Sequence, residues 1–406
     1  MLRYARFFVN PLVVFAISAG LLFGNFWIWL PGILYVAGVA IADQIYPHDT
    51  EEKPYRFPGV LDFSLYLSLP AVLVLFVCLM WAMGSGNTDI FGIGAGVQQA
   101  TGVDVIAARN ATGWYHYPLM LLALSLPATG AAGLAGHELT HRTSRPFDLW
   151  LGRIAMATWW GIAFPIEHVY GHHAYVATKK DPATAARGDS LYQHLPKALK
   201  RTVVNAWEIE TARLQKVGKS FWSPSNVLLR MAVVSAFFTV SAYLLAGIPG
   251  LLAYLYICVI AKVALEALNY IEHYGMLRQL NEPVQPRHSW NCNHTVSGVF
   301  TYNLTRHSHH HADAQVHYQN LKAFSEQPEM PGGLQTAYLA AFIPSLWRKK
   351  IAPKLLVWDR EQASKQEYPL LAQANIESGW PELMSSAANQ YVKEHASPGS
   401  SGTVAA

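Results

Sequence analysis

The chain has 406 residues, of which 52% are hydrophobic and only 14% charged, with a formal net charge of +4. An ordinary globular domain carries about 25% charged residues, so the composition excludes a set of soluble domains and points to one membrane domain with polar extensions. The small net charge gives no sign of a nucleic-acid partner. The three cysteines, Cys78, Cys258 and Cys292, lie far apart and form no CxxC, which excludes a built-in rubredoxin or zinc ribbon and argues against a disulfide framework.

In chain order, six apolar segments are long enough to cross a membrane: 8–24, 26–44, 63–84, 115–136, 228–247 and 250–270. Arg3 and Arg6 precede the first, which reads as a retained signal-anchor running into a second span as a hairpin. Short turns at Gly24-Asn25 and at Gly247-Ile248-Pro249-Gly250 join antiparallel neighbours. The stretch 149–166 is also apolar, but Arg153 interrupts it, and it reads as a helix lying at the interface. Segment 85–114 holds one basic residue, Arg109, whereas 137–227 holds twelve. The positive-inside rule therefore places both termini and both large polar regions in the cytoplasm. The Ser-, Gly- and Ala-rich stretch 385–406 cannot bury enough surface to order itself and reads as a disordered tail. The expected architecture is an all-α membrane domain over 1–384, with six transmembrane helices and a cytoplasmic helical cap.

The histidines cluster. His137-Glu-Leu-Thr-His141 ends the fourth span, and residues at i and i+4 share a helix face. Glu167-His168-Val-Tyr-Gly-His172-His173 repeats that spacing, with His173 aimed elsewhere, towards a second ion. Asn269-Tyr-Ile-Glu272-His273-Tyr-Gly275 ends the sixth span. In Arg306-His307-Ser-His309-His310-His311, His307 meets His310 and His311 one turn on. HExxH alone is a zinc-protease signature, but it leaves three boxes unused. A metal transporter would place its ligands deep within the spans rather than at their ends. Imidazole-rich sites suit Zn, Cu, Fe and Ni. Nine histidines exceed what one tetrahedral zinc takes and suffice for two metal ions with open positions.

The boxes HELTHR, EHVYGHH, NYIEHYG and RHSHHHA resemble those of the AlkB-type alkane monooxygenases, in the membrane fatty-acid desaturase/hydroxylase superfamily. So do His288-Ser-Trp-Asn-Cys-Asn293, Asp181-Pro-Ala-Thr with Gly188-Asp-Ser-Leu-Tyr192, and Pro344-Ser-Leu-Trp347-Arg-Lys. The resemblance covers about residues 10–360. It implies nine iron ligands: His137, His141, His168, His172, His173, His273, His307, His310 and His311. It implies two non-haem irons that activate O2 and hydroxylate the terminal methyl of an n-alkane. Electrons would come from rubredoxin and its NAD(P)H-dependent reductase, at the cytoplasmic side of a bacterial inner membrane. A xylene-type methyl monooxygenase is the near alternative, and a fatty-acyl desaturase a more distant one. This chain departs from the pattern at His309, where the family carries Asp; His309 reads as lying behind the ligands or at the surface.

Carboxylates expected to support the ligands are Glu138, Glu167, Glu272, Asp181, Asp189 and Asp313. Glu266, within the sixth span, lies on one face with Asn269 and one turn from Lys262, with which it could pair. Glu266, Asn269 and Glu272 are the expected catalytic helpers. The substrate is expected to arrive from the membrane through an apolar channel whose lining the pattern does not identify.

Overall fold

The computed structural model describes residues 2–52 and 54–395. Among these there is no β-strand, only the isolated bridges His48–His294 and Asn291–Glu329. Four helices are long and apolar enough to cross a membrane: α1 (Arg3–Leu22), α3 (Pro58–Met83), α4 (His116–His141) and α7 (Val227–His273). The second expected span is α2 (Leu30–Ile45), whose 16 residues reach about 24 Å, short of the roughly 30 Å hydrocarbon layer.

The fifth and sixth expected spans are the two legs of α7, so five helices, the short α2 among them, stand at the six expected segments. The break is at Gly247, with φ 63° and ψ −153°, a conformation that only glycine adopts cheaply; Pro249 then blocks direct continuation. The legs lie side by side. Ser235 on the first donates to the carbonyl of Ala157 (2.8 Å), and Tyr254 on the second donates to that of Thr158 (3.0 Å). Phe76 sets its edge against both Phe238 and Tyr254.

Helix α5 (Pro146–Ala157), with 12 residues, is too short to cross and packs on α4. The two helices meet at Gly136 and Gly152. A Cβ on Gly152 would lie 2.8 Å from Leu139 Cβ and 2.9 Å from the Gly136 carbonyl. That contact holds the histidine end of α4. At the same end Arg142 is buried and binds Glu138 (2.9 Å), Asp62 (2.6 Å) and Asp148 (3.1 Å), tying α4 to α3 and α5.

Beyond the spans, α6 (Leu191–Lys216), α8 (His307–Ala312), α9 (Leu334–Ala341) and α10 (Pro344–Glu361) build the cap. Its core holds Tyr270, Tyr274, Trp290, Trp347 and Trp358. Arg187 and Asp359, whose side chains are both 0% exposed, pair through two bonds of 2.7 and 2.9 Å. Part of the stretch expected to be a disordered tail is helical. Ala387–His395 is a helix, and Asn389 joins a buried cluster with Asn375 and Ser386. Residues 396–406 lie outside the described residues.

Candidate metal centre

The ends of two spans and two cap segments bring all nine histidines together. His137, His141, His168 and His310 form one group; His172, His273 and His311 form another. His173 sits with His310 and His311, and Glu272 with His273 and His307, so the groups adjoin. Within each set the donor atoms lie within 4.8 Å of one another.

The second box departs from the helical expectation. His168–His172 is a π-turn, with i→i+5 bonding that inserts a residue into the turn. His168 and His172 therefore serve different groups instead of sharing one, and His173 stands between them. Three pairs of Nε2 atoms face each other: His273–His307 at 3.0 Å, His307–His311 at 3.1 Å and His168–His173 at 3.1 Å. Two nitrogens bound to one ion at about 2.1 Å and at right angles lie about 3 Å apart. Nε2 of His137, His141, His172 and His310 is buried with no hydrogen-bond partner. Buried polar atoms rarely stay unpartnered, and convergent lone pairs are the donor set a metal ion would satisfy.

The electrostatics agree. Burial, then the neighbouring imidazoles, holds His168, His173, His307, His310 and His311 well below the ordinary histidine value. They are neutral at pH 7, the ligating form. His172 is the exception. Burial pulls it down, but the carboxylates around it, Asp181 first and then Glu167 and Glu272, together outweigh burial and raise it. Asp181 Oδ2 lies 2.9 Å from His172 Nδ1, accepts from Thr184 Oγ1 (2.6 Å), and through Oδ1 accepts from Ala183 N–H. This fixes the Nδ1–H tautomer and turns Nε2 towards the cluster. Glu167 is pushed up to about 8 by burial and by Asp181.

Of the other expected supports, Glu272 approaches His307 at 3.4 Å. Glu266 accepts from Asn269 (3.2 Å) and Thr202 (3.3 Å); among the described residues it makes no ion pair with Lys262 within 4 Å. Glu138 serves Arg142, Asp189 pairs with Lys197, and Asp313 caps a turn at Gln315. His309 faces away, accepting from Lys322 N–H (2.7 Å) against the Phe324 ring. His294 engages the Asp43 carbonyl. The sequence reading missed one support. His288 presents its carbonyl to His273 Nδ1 (3.4 Å), and its own ring is held by Glu367 (3.0 Å). The signal was there in the segment starting at His288, but its partner lies 79 residues on.

An apolar pocket of about 860 Å³, its open mouth included, runs between α4, the second leg of α7 and α9. Leu126, Gly130, Gly133 and Leu134 line one wall, and Ala264, Leu265 and Leu268 another. It ends on His137, His168 and His307, with Asn269 and Glu272 beside them. From Leu126 to His137 is about 16 Å along α4. The sequence reading did not identify this lining; the signal available was the small residues of 129–133, Thr-Gly-Ala-Ala-Gly, which leave room beside the helix. A Cβ on Gly133 would meet nothing nearer than 3.9 Å.

The fatty acid desaturase family model matches residues 112–339, more than half of the chain. An alkane 1-monooxygenase of Ectopseudomonas oleovorans is 38% identical over 323 residues, covering 78% of this chain and 72% of the relative. Alkane 1-monooxygenase 2 of Alcanivorax borkumensis is 39% identical over 225 residues, 54% of this chain and 59% of that protein, so the chain spans less than two thirds of it. The xylene/toluene monooxygenase hydroxylase component XylM of Pseudomonas putida is 29% identical over 395 residues, 93% of this chain and 95% of its own length. The chain belongs to the membrane fatty-acid desaturase/hydroxylase superfamily and, within it, to the family of the AlkB-type alkane monooxygenases.

Proposed function

We propose that this protein hydroxylates the terminal methyl of n-alkanes to 1-alkanols, with O2 as oxidant and electrons from rubredoxin and its NAD(P)H-dependent reductase. One observation carries the reading: an apolar pocket reaches from the spans to the junction of the two histidine groups. In this reading the six apolar segments cross a bacterial cytoplasmic membrane, the legs of α7 as two of them, with the histidine cluster on the cytoplasmic side.

His137, His141, His168 and His310 would hold one iron, and His172, His273, His307 and His311 the other, with His173 between them. Such an iron pair supplies the two-electron activation of O2 and the transfer of one oxygen atom to carbon. The chain's own residues do the rest. The pocket's Leu and Ala side chains bind the hydrocarbon by removing apolar surface from water, at about 25 cal/mol per Å². They also keep water from the reacting end. Gly130 and Gly133 leave the width for a chain to lie along α4. Asn269, its amide held by Glu266, and Glu272 are the polar groups at the closed end that can receive the new hydroxyl.

A xylene-type substrate is the second reading, supported by the near full-length match to XylM. Purified, iron-loaded protein supplied with octane, hexadecane and xylene separates the two by rate. O2-dependent formation of 1-alkanol with two irons per chain supports the proposal. Alkene as product instead makes the protein a desaturase, and one zinc with no O2 uptake refutes the oxygenase reading.

A further inference from the structure

Arg153 has no role in the metal centre or the pocket. It stands on α5 next to Gly152, through which α5 packs on α4, and it is only 8% exposed. Among the described residues it forms no ion pair, and its Nε, cut off from solvent, has no hydrogen-bond partner. The acid that faces it, Glu210 on α6, is already occupied. Glu210 Oε2 accepts from Arg213 Nε, and Oε1 accepts from Arg213 Nη2 and the Val227 N–H, each at 2.7 Å. An arginine this deeply buried is normally paired, so the guanidinium is a donor set without its acceptor.

More cations crowd around it. Arg213 and Arg230 both face Arg153. The Trp150 ring lies between two of the three, 4.9 Å from the guanidinium of Arg153 and 5.4 Å from that of Arg230. Arg213 also donates to the Ser225 carbonyl (2.9 Å), and Lys219 to the Ser225 hydroxyl (2.7 Å). Cations from α5, α6 and the start of α7 thus converge, and Glu210 neutralises one of them.

The place is the foot of a spanning helix, since α7 starts at Val227. Along its first leg Arg230, Val233, Phe237, Val240 and Leu244 follow at steps of three and four residues and share one face. All five are exposed, Val233 to 70% and Phe237 to 65%. Phe147, one turn before Trp150, and Trp222, just ahead of α7, are exposed as well, as aromatic residues at a membrane interface are. A cationic pocket therefore opens onto an apolar stripe.

We infer that Arg153, Arg230 and Trp150 form a binding site for the phosphate of an anionic phospholipid, with an acyl chain lying along Val233 and Phe237. Arginine forks match phosphate oxygens two at a time. A free phosphate ion would meet the charges but has no use for the stripe. A zwitterionic lipid brings a cation of its own, which Arg213 and Lys219 repel. The bound lipid ties α5 to α7 beside the Gly136–Gly152 contact that holds the histidine end of α4. The site requires only that α7 crosses the membrane and is independent of the reaction.

The test is native mass spectrometry of the full chain, delipidated in detergent and titrated with dioleoylphosphatidylglycerol, dioleoylphosphatidylcholine or inorganic phosphate. Phosphatidylglycerol is expected to bind at least tenfold more tightly than phosphatidylcholine, and inorganic phosphate at equal concentration to leave it in place. Arg153→Gln and Arg230→Gln are each expected to raise the phosphatidylglycerol Kd about tenfold. Lys200→Gln combined with Lys349→Gln, which removes exposed cations elsewhere, should leave that Kd unchanged. Arg230 is exposed, so its variant decides the matter if Arg153→Gln fails to fold. Wild-type phosphatidylglycerol affinity in the arginine variants that fold overturns the site. So does an equal loss in the Lys200–Lys349 variant, which would mark a diffuse charge effect. Equal affinity for the two lipids overturns the anionic headgroup, and displacement of the lipid by inorganic phosphate overturns the lipid in favour of a free anion.

Discussion

Removing Asp181 should loosen the metal without unfolding the protein. Among the described residues Asp181 is the one carboxylate bonded to a ring nitrogen of a clustered histidine at 2.9 Å, and the His172 side chain is 1% exposed. Its Oδ2 accepts from two donors and its Oδ1 from a third. In Asp181→Asn the shape survives, but the charge is lost and an amide N–H must face one of those donors. In Asp181→Ala the His172 ring has nothing to hold its tautomer. Losing a partner of a metal-bound histidine costs about 10–100-fold in affinity, or roughly 1.4–2.8 kcal/mol. Asp181→Asn should fall near the lower end and Asp181→Ala near the upper. The assay is iron retained by purified protein against rising chelator, measured by elemental mass spectrometry, with a thermal melt of the metal-free forms as the folding control. If Asp181→Ala keeps its iron at the same chelator concentration as wild type, His172 is not oriented in the way argued here.

Other outcomes follow from the same contacts. Arg187→Ala strands Asp359 in the cap core, where an uncompensated charge costs about 3–5 kcal/mol; the melting temperature in detergent should drop clearly. Glu367 is pushed up by burial, but bonds from His288, the Ser364 N–H and Arg287 outweigh burial and hold it down at about 2. Its contribution to stability is therefore complete above the unfolded carboxylate value, about 4.3, and is lost as pH falls towards 2. Acid unfolding followed by circular dichroism should be shallower over that window in Glu367→Gln. Gly133→Ala should fold normally, since its Cβ has room. Gly130→Phe should fill the pocket and abolish turnover of long alkanes with iron content unchanged, and normal hexadecane oxidation would remove that pocket as the substrate site.

Much of the chemistry was legible because it is local. Pairs of histidines three or four residues apart announce a shared helix face, and three such boxes with a fourth that holds His273 exceed what one zinc needs. Apolar length alone located the candidate spanning segments, whereas the pocket lining was not read from the sequence. What local spacing could not give is how the boxes combine. The π-turn at His168–His172 divides a pair that helical spacing had joined, and nothing in one turn's composition shows that. Gly247 permits a reversal that keeps two apolar legs in one run of helical bonding. Glu367, Trp347 and Trp380 act on the His273 region from about 75–105 residues away in sequence, and the helix from Ala387 is ordered by Asn375 and Ser386. Sequence determined which residues can ligate a metal and which stretches seek the membrane, because both depend on side-chain type at short range. Tertiary structure alone decided which histidines group together, where the pocket ends and what holds each ring, because these depend on contacts that close only when distant helices pack.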